Sequence, residues 1–219
     1  MITMDVTRRE IRGGLYLVVD PMPGLETVLP IVKAALEGGV DVIQLWNHWN
    51  TDGIREEFIS ALCELAHQYH VPVLINENWQ WLHTFPLDGI HFDSIPQNLA
   101  YIKEQINRPV IIGITCGNEQ ETIQWAIANK LSYLSFCSMF PSSTANSCEL
   151  VAPDLVRKTC ATADMPVYVA GGITGDTIPS LLTLGISGVA IASGIMNADD
   201  PQMAANKFSQ LLKPTTKIK

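Results

Sequence analysis

Short apolar runs rich in β-branched residues recur eight times along the chain, and the longer segments between them carry apolar residues at helical spacing. The runs are Leu15–Val19, Val40–Leu45, Val71–Ile75, Gly89–Phe92, Val110–Ile114, Tyr133–Phe136, Val167–Ala170 and Gly188–Ala192. Continuous apolar runs of this length suit parallel strands covered on both faces. In Leu25–Glu37, the residues Leu25, Val28, Leu29, Val32, Ala35 and Leu36 fall on one helical stripe, and Gly38-Gly39 stops it. Ile54–Tyr69 repeats the pattern through Ile54, Phe58, Leu62, Leu65 and Ala66. Gln97–Ile106, Glu119–Asn129, Ala152–Cys160, Asp176–Leu184 and Gln202–Leu212 also read as helices. The third connection, Glu77–Leu87, is shorter, carries Trp79, Trp81 and Phe85, and is the least regular crossover.

Strand-then-helix units repeated eight times predict an α/β chain folded as a single (β/α)8 TIM barrel. A doubly wound open sheet is the alternative, but it usually has fewer strands and often a glycine-rich turn after the first. Here the first strand runs into Asp20-Pro21-Met22-Pro23. Residues 1–219 read as one barrel domain, with 1–14 as an N-terminal arm and 213–219 as a frayed C-terminal tail.

Composition narrows the partners. Of 219 residues, 47% are hydrophobic and 16% charged, as in an ordinary globular enzyme. A formal net charge of −8 argues against nucleic acid and against an anionic membrane surface. It leaves room for a phosphate ester, because backbone amides bind phosphate without any net positive charge. The five cysteines form no CxxC pair and are expected as free thiols of a cytoplasmic protein. No signal-peptide pattern and no membrane-length apolar run is present.

In a barrel, function sits on the loops that follow the strands. The last two carry Gly171-Gly172-Ile173-Thr174 and Ala192-Ser193-Gly194, small residues that let a phosphate approach the backbone beside helix N-termini. Two tight turns without a ligand are the plainer reading of the same residues. After strand two, Gln44 is followed by Trp46, His48 and Trp49. The aromatic residues read as a stacking wall for a planar ligand, as a cap on the barrel mouth, or as the contact of a homo-oligomer. His48 is a proton-transfer candidate. Asn76 can donate to a ligand, and Glu77 can serve as base or metal ligand or as a solvated loop carboxylate. His91 and Asp93 follow strand four, Thr115 and Cys116 strand five, and the hydroxyl-rich Phe140-Pro141-Ser142-Ser143-Thr144 strand six. This last segment reads as a lid over a phosphate or as a plain turn.

Taken in order, Leu15-Tyr16-Leu17-Val18, Glu37–Leu45, Pro72–Asn76, Asp88-Gly89-Ile90-His91, Phe140-Pro141, Gly171–Thr174 and Gly188–Ile195 resemble the thiamine phosphate synthase superfamily, which also contains thiazole tautomerases. The resemblance implies a barrel that joins an aminopyrimidine diphosphate to a thiazole phosphate with Mg2+, the diphosphate leaving first. It places Thr144, Gly171, Gly172, Ala192 and Ser193 on the thiazole phosphate. It places Gln44, Asn76 and Thr115 on the pyrimidine diphosphate side, and makes Glu77 the surviving metal carboxylate.

The diphosphate half departs from the family pattern. The arginine and lysine that follow the glutamine in synthases are Trp46 and His48, and the lysine of the sixth loop is Ala145. The second metal carboxylate has no clear counterpart, since Pro96 stands near its place and Asp93 lies three residues earlier. At roughly 1.5–3 kcal/mol per charge-assisted hydrogen bond, three lost cations amount to about 4–9 kcal/mol. Tautomerases dispense with that half, but their catalytic histidine on the loop after strand five is Gly117 here, so His48 or His91 would have to replace it. The expectation is therefore a synthase-like enzyme with His48 and Glu77 as catalytic candidates. A tautomerase-like isomerase and a non-catalytic phosphate-ester-binding homologue are the alternatives.

Overall fold

A computed structural model describes residues 10–49, 55–142 and 149–213. Its eight strands are β1 (Gly14–Val19), β2 (Val42–Leu45), β3 (Val73–Asn76), β4 (Gly89–Phe92), β5 (Ile111–Cys116), β6 (Tyr133–Cys137), β7 (Val167–Ala170) and β8 (Gly188–Ile191). They pair in sequence order, all parallel, and β8 returns to β1 with Gly188 opposite Gly14. The expected (β/α)8 barrel is the observed fold.

The helices are α1 (Leu25–Glu37), α2 (Arg55–Gln68), α3 (Leu99–Ile106), α4 (Gln120–Ala128), α5 (Pro153–Thr162), α6 (Ile178–Leu182), α7 (Ser193–Met196) and α8 (Pro201–Leu212). Side-chain oxygens of Asn98 and Asp200 accept the Tyr101 and Met203 backbone N–H groups, which defines the starts of α3 and α8. The irregular third crossover contains a single 3-10 turn, Trp79–His83. The short α7 was not among the predicted helices; at four residues it carries too little periodicity to be read. No helix among the described residues is long and apolar enough to cross a membrane.

Two apolar layers follow from the pleat. One set of side chains packs outward against the helices, and the other fills the barrel: Ile11, Tyr16, Val42, Leu74, Ile111, Tyr133, Tyr168 and Ala190. Ile11, from the segment expected as an arm, is buried in that inner layer. Three tyrosine rings meet there edge to face at 5.5–5.9 Å. Glycines make the space for them. A Cβ on Gly113 would fall 2.0 Å from the Tyr133 ring, and one on Gly188 would fall 2.5 Å from the Tyr168 ring.

Carboxylates ahead of the strands tie the sheet together. Asp41 accepts the Leu15 N–H at 2.8 Å, and Asp88 accepts the Val73 N–H at 2.9 Å and meets His67 at 2.8 Å. Two acidic residues inside the family-like segments thus serve the fold rather than the chemistry.

Candidate active site

The strand ends bring the last two loops into one cavity of about 440 Å3. Gly171, Gly172, Ala192 and Ser193 all line it, with Trp46, Cys137, Pro141 and Ser142. Gly171 has φ +90° and Gly172 φ +63°, a region where glycine carries no steric penalty. Bulk is excluded as well, since a Cβ on Gly172 would sit 2.4 Å from the Pro141 carbonyl oxygen. Ser193 opens α7, whose first N–H groups have no partner within the helix. Among the described residues its lining includes no lysine or arginine, and backbone N–H groups and hydroxyls are the polar groups it offers an anion. Thr144 lies outside the described residues.

The strand-two aromatics separate into two roles. Trp46 forms part of the cavity wall. Trp49 instead packs on Phe58 and Trp81, with ring centroids 5.6 and 5.7 Å away, against the outer core. His48 lies against Trp46 at 4.9 Å, and its Nδ1 is 3.1 and 3.2 Å from the two carboxylate oxygens of Asp20. Asp20 is 28 residues away in sequence, with no local spacing that marks it as a partner of His48.

On the other side of the mouth, Asn76 is buried and donates to the Asp93 carboxylate at 2.9 Å. Glu77, at φ +63°, accepts the Asp93 N–H at 2.5 Å. Partial desolvation raises the pKa of both carboxyl groups, and for Glu77 the Asp93 charge adds to the rise. Thus Asp93, three residues ahead of the place where the family pattern has its second metal carboxylate, is brought to Glu77 by the chain path. Among the described residues no group of three or more His, Cys, Asp or Glu side chains is arranged to hold a metal ion. Glu77 and Asp93 are oxygen donors of the kind Mg2+ takes, since that ion is commonly bound by one or two carboxylates with substrate phosphates and water completing the shell.

Beneath the mouth, the side chain of Gln44 is buried and its Oε1 accepts the Tyr16 hydroxyl at 2.6 Å. Tyr16 and Tyr133 hydroxyls are 2.8 Å apart, Tyr133 is 2.7 Å from His91 Nδ1, and His91 Nε2 is 2.8 Å from Thr115 Oγ1. Burial lowers the His91 pKa to about 3, so the ring is neutral at ordinary pH. With both nitrogens engaged, it is not a free base. Burial pushes the Cys116 thiol up to about 12, which leaves it unsuited as a nucleophile.

A (β/α)8 barrel with a glycine-lined cavity after β7 and β8 is of the class that frequently binds phosphate at that place. Comparison with known proteins narrows the class. A family model described as thiamine monophosphate synthase (TMP-TENI) matches residues 15–195, and the chain belongs to that family. It is 32% identical over 199 residues to the thiamine-phosphate synthase of Janthinobacterium sp. (strain Marseille), covering 90% of this chain and 96% of that one. It is 28% identical over 206 residues to the corresponding protein of Nitrosospira multiformis, covering 94% and 88%. Among solved structures, thiamine phosphate pyrophosphorylase from Pyrococcus furiosus superposes with TM-score 0.79 at 24% identity over 92% of this chain and 96% of that one, a likeness of fold.

Proposed function

We propose that this protein is a thiamine phosphate synthase: it condenses an aminopyrimidine diphosphate with a thiazole phosphate, releasing diphosphate. The observation that carries the reading is the cavity in which Gly171, Gly172, Ala192 and Ser193 converge, together with family membership. Those residues hold the thiazole phosphate through backbone N–H groups. Thr144 joins them by the resemblance.

Gln44, Asn76 and Thr115 face the pyrimidine. Glu77 and Asp93 would hold Mg2+, which when bound supplies charge compensation for the departing diphosphate. In this reading Glu77 takes the two roles the sequence suggested for it, catalytic carboxylate and metal ligand. His48, oriented through Nδ1 by Asp20, stands in the region where synthases carry fixed cations. Trp46 closes the cavity with an aromatic wall. The protein acts on small molecules in the cytoplasm.

The test is formation of thiamine phosphate from both substrates with Mg2+. Product from native protein is expected, and a folded protein that makes none refutes the reading. One observation favours a second reading, a thiazole tautomerase-type isomerase. Among the described residues the His48–Asp20 pair leaves Nε2 for proton transfer. That reading requires metal-independent isomerisation of a thiazole phosphate carboxylate that His48→Ala abolishes.

A further inference from the structure

Five side chains from five strands form one continuous hydrogen-bonded chain through the barrel: Gln44, Tyr16, Tyr133, His91 and Thr115. Its direction follows from counting protons. The Gln44 carbonyl oxygen can only accept, so Tyr16 donates to it. A phenol has one proton, so the Tyr16 oxygen accepts from Tyr133. The Tyr133 proton is then committed, and its oxygen accepts from His91 Nδ1–H. A neutral imidazole has one N–H, which leaves Nε2 bare to accept from the Thr115 hydroxyl.

We infer that Tyr16, Tyr133 and His91 are positioning residues that set the hydrogen-bond polarity at both ends of this chain, so that Gln44 offers amide N–H donors and Thr115 offers an acceptor oxygen to the substrate. The ligand chemistry this suits is a heteroaromatic ring with a bare nitrogen on one edge and an N–H donor on another. That last step rests on the reading that Gln44 and Thr115 face the pyrimidine. The polarity itself does not.

The alternative arrangement is concrete. If the Gln44 amide nitrogen pointed at Tyr16, every link would reverse, His91 would carry its proton on Nε2, and Thr115 would present a donor. Intermediate arrangements leave two protons or two lone pairs facing each other in a buried site, which is costly.

Nitrogen-15 NMR of histidine-labelled protein reads the tautomer directly, with the His91 signal assigned by its loss in His91→Gln. Native protein is expected to show Nδ1 protonated and Nε2 bare. Tyr133→Phe keeps the ring in the space above Gly113 but removes the acceptor for Nδ1–H, so the proton is expected to move to Nε2. Tyr16→Phe strands the Tyr133 proton, which then turns to Nδ1, and gives the same shift by an independent route. In both variants calorimetric affinity for the aminopyrimidine diphosphate should fall about tenfold or more, with thiazole phosphate affinity unchanged. An Nε2–H tautomer in native protein, or a tautomer indifferent to both variants, overturns the polarity. The expected tautomers with unchanged pyrimidine affinity overturn the role toward substrate. Absence of turnover counts against the synthase reading alone, because tautomer and affinity are both read without it.

Discussion

Replacing Gly172 by alanine tests the proposed phosphate cradle where an added carbon meets backbone. The backbone there has φ +63°, and an L side chain in that region costs about 1–2 kcal/mol. The added Cβ would lie 2.4 Å from the Pro141 carbonyl oxygen and 2.8 Å from Phe140 Cβ. Neither atom is the end of a flexible side chain, so the Phe140–Pro141 segment must recede by about 1 Å, at a further cost of about 1–3 kcal/mol. The combined loss of about 2–5 kcal/mol corresponds to a fall in Tm of roughly 4–20 °C for a chain of this size. Pro141 and Ser142 also form the cavity wall, so the shift displaces one side of the site. A displacement of about 1 Å costs on the order of a hundredfold where geometry matters.

Gly24→Ala is the control. Its φ is +87°, but nothing lies within 4 Å of the added carbon, so it carries the conformational cost without the displacement. Calorimetry with thiazole phosphate and thermal melts on both variants decide the matter. The expected pattern is stability loss in both and affinity loss in Gly172→Ala alone. A folded Gly172→Ala protein that binds within twofold of native refutes the cradle geometry.

Restoring the family cations in Trp46→Arg with His48→Lys should raise the rate of thiamine phosphate formation tenfold or more, since each charge-assisted contact contributes about 1.5–3 kcal/mol; an unchanged or lower rate in steady-state assays counts against a diphosphate at that loop. The neutral, buried His91 makes stability depend on pH: its folded pKa of about 3 lies below the ordinary 6.5, so the unfolded chain binds the extra proton between those values. Stability should therefore fall as pH drops from 6.5, by about 2.5 kcal/mol at pH 4.5, and denaturant melts of His91→Gln should lose that slope. Glu77 and Asp93 act with the opposite sign, their raised pKa values giving stability at low pH that is lost as pH rises through them, so the comparison is native against variant. Asp88→Ala should cost about 1–3 kcal/mol in the same melts by leaving the Val73 N–H unpaired, and Asp88→Asn should recover part of it by keeping an acceptor.

The barrel was legible because each strand is a compact apolar run and most crossovers carry a clear helical stripe. The third crossover was legible only as an irregularity, since three aromatic residues in a short segment fit neither period. The meeting of the last two loops was legible too, because glycine and serine after those strands leave few side chains to fill the space between them. What the sequence could not show is which residues meet across the mouth. His48 finds Asp20 through β1, and Glu77 finds Asp93 through β4, and neither pairing has a local spacing rule. The tyrosine chain was hidden for another reason. A strand buried on both faces has no polar alternation, so nothing in the run marks Tyr16 and Tyr133 as pointing inward. The one available signal was a phenol hydroxyl within an apolar run, which needs a buried partner.

A crystal structure with bound thiazole phosphate decides whether the loops after β7 and β8 hold the phosphate. The phosphate is expected within hydrogen-bond distance of the Gly172 and Ser193 N–H groups, with the ring toward Trp46. A phosphate found elsewhere contradicts it, most tellingly in the separate cavity of about 290 Å3 lined by Arg108 and Lys130, where side-chain cations rather than backbone amides would hold the ligand.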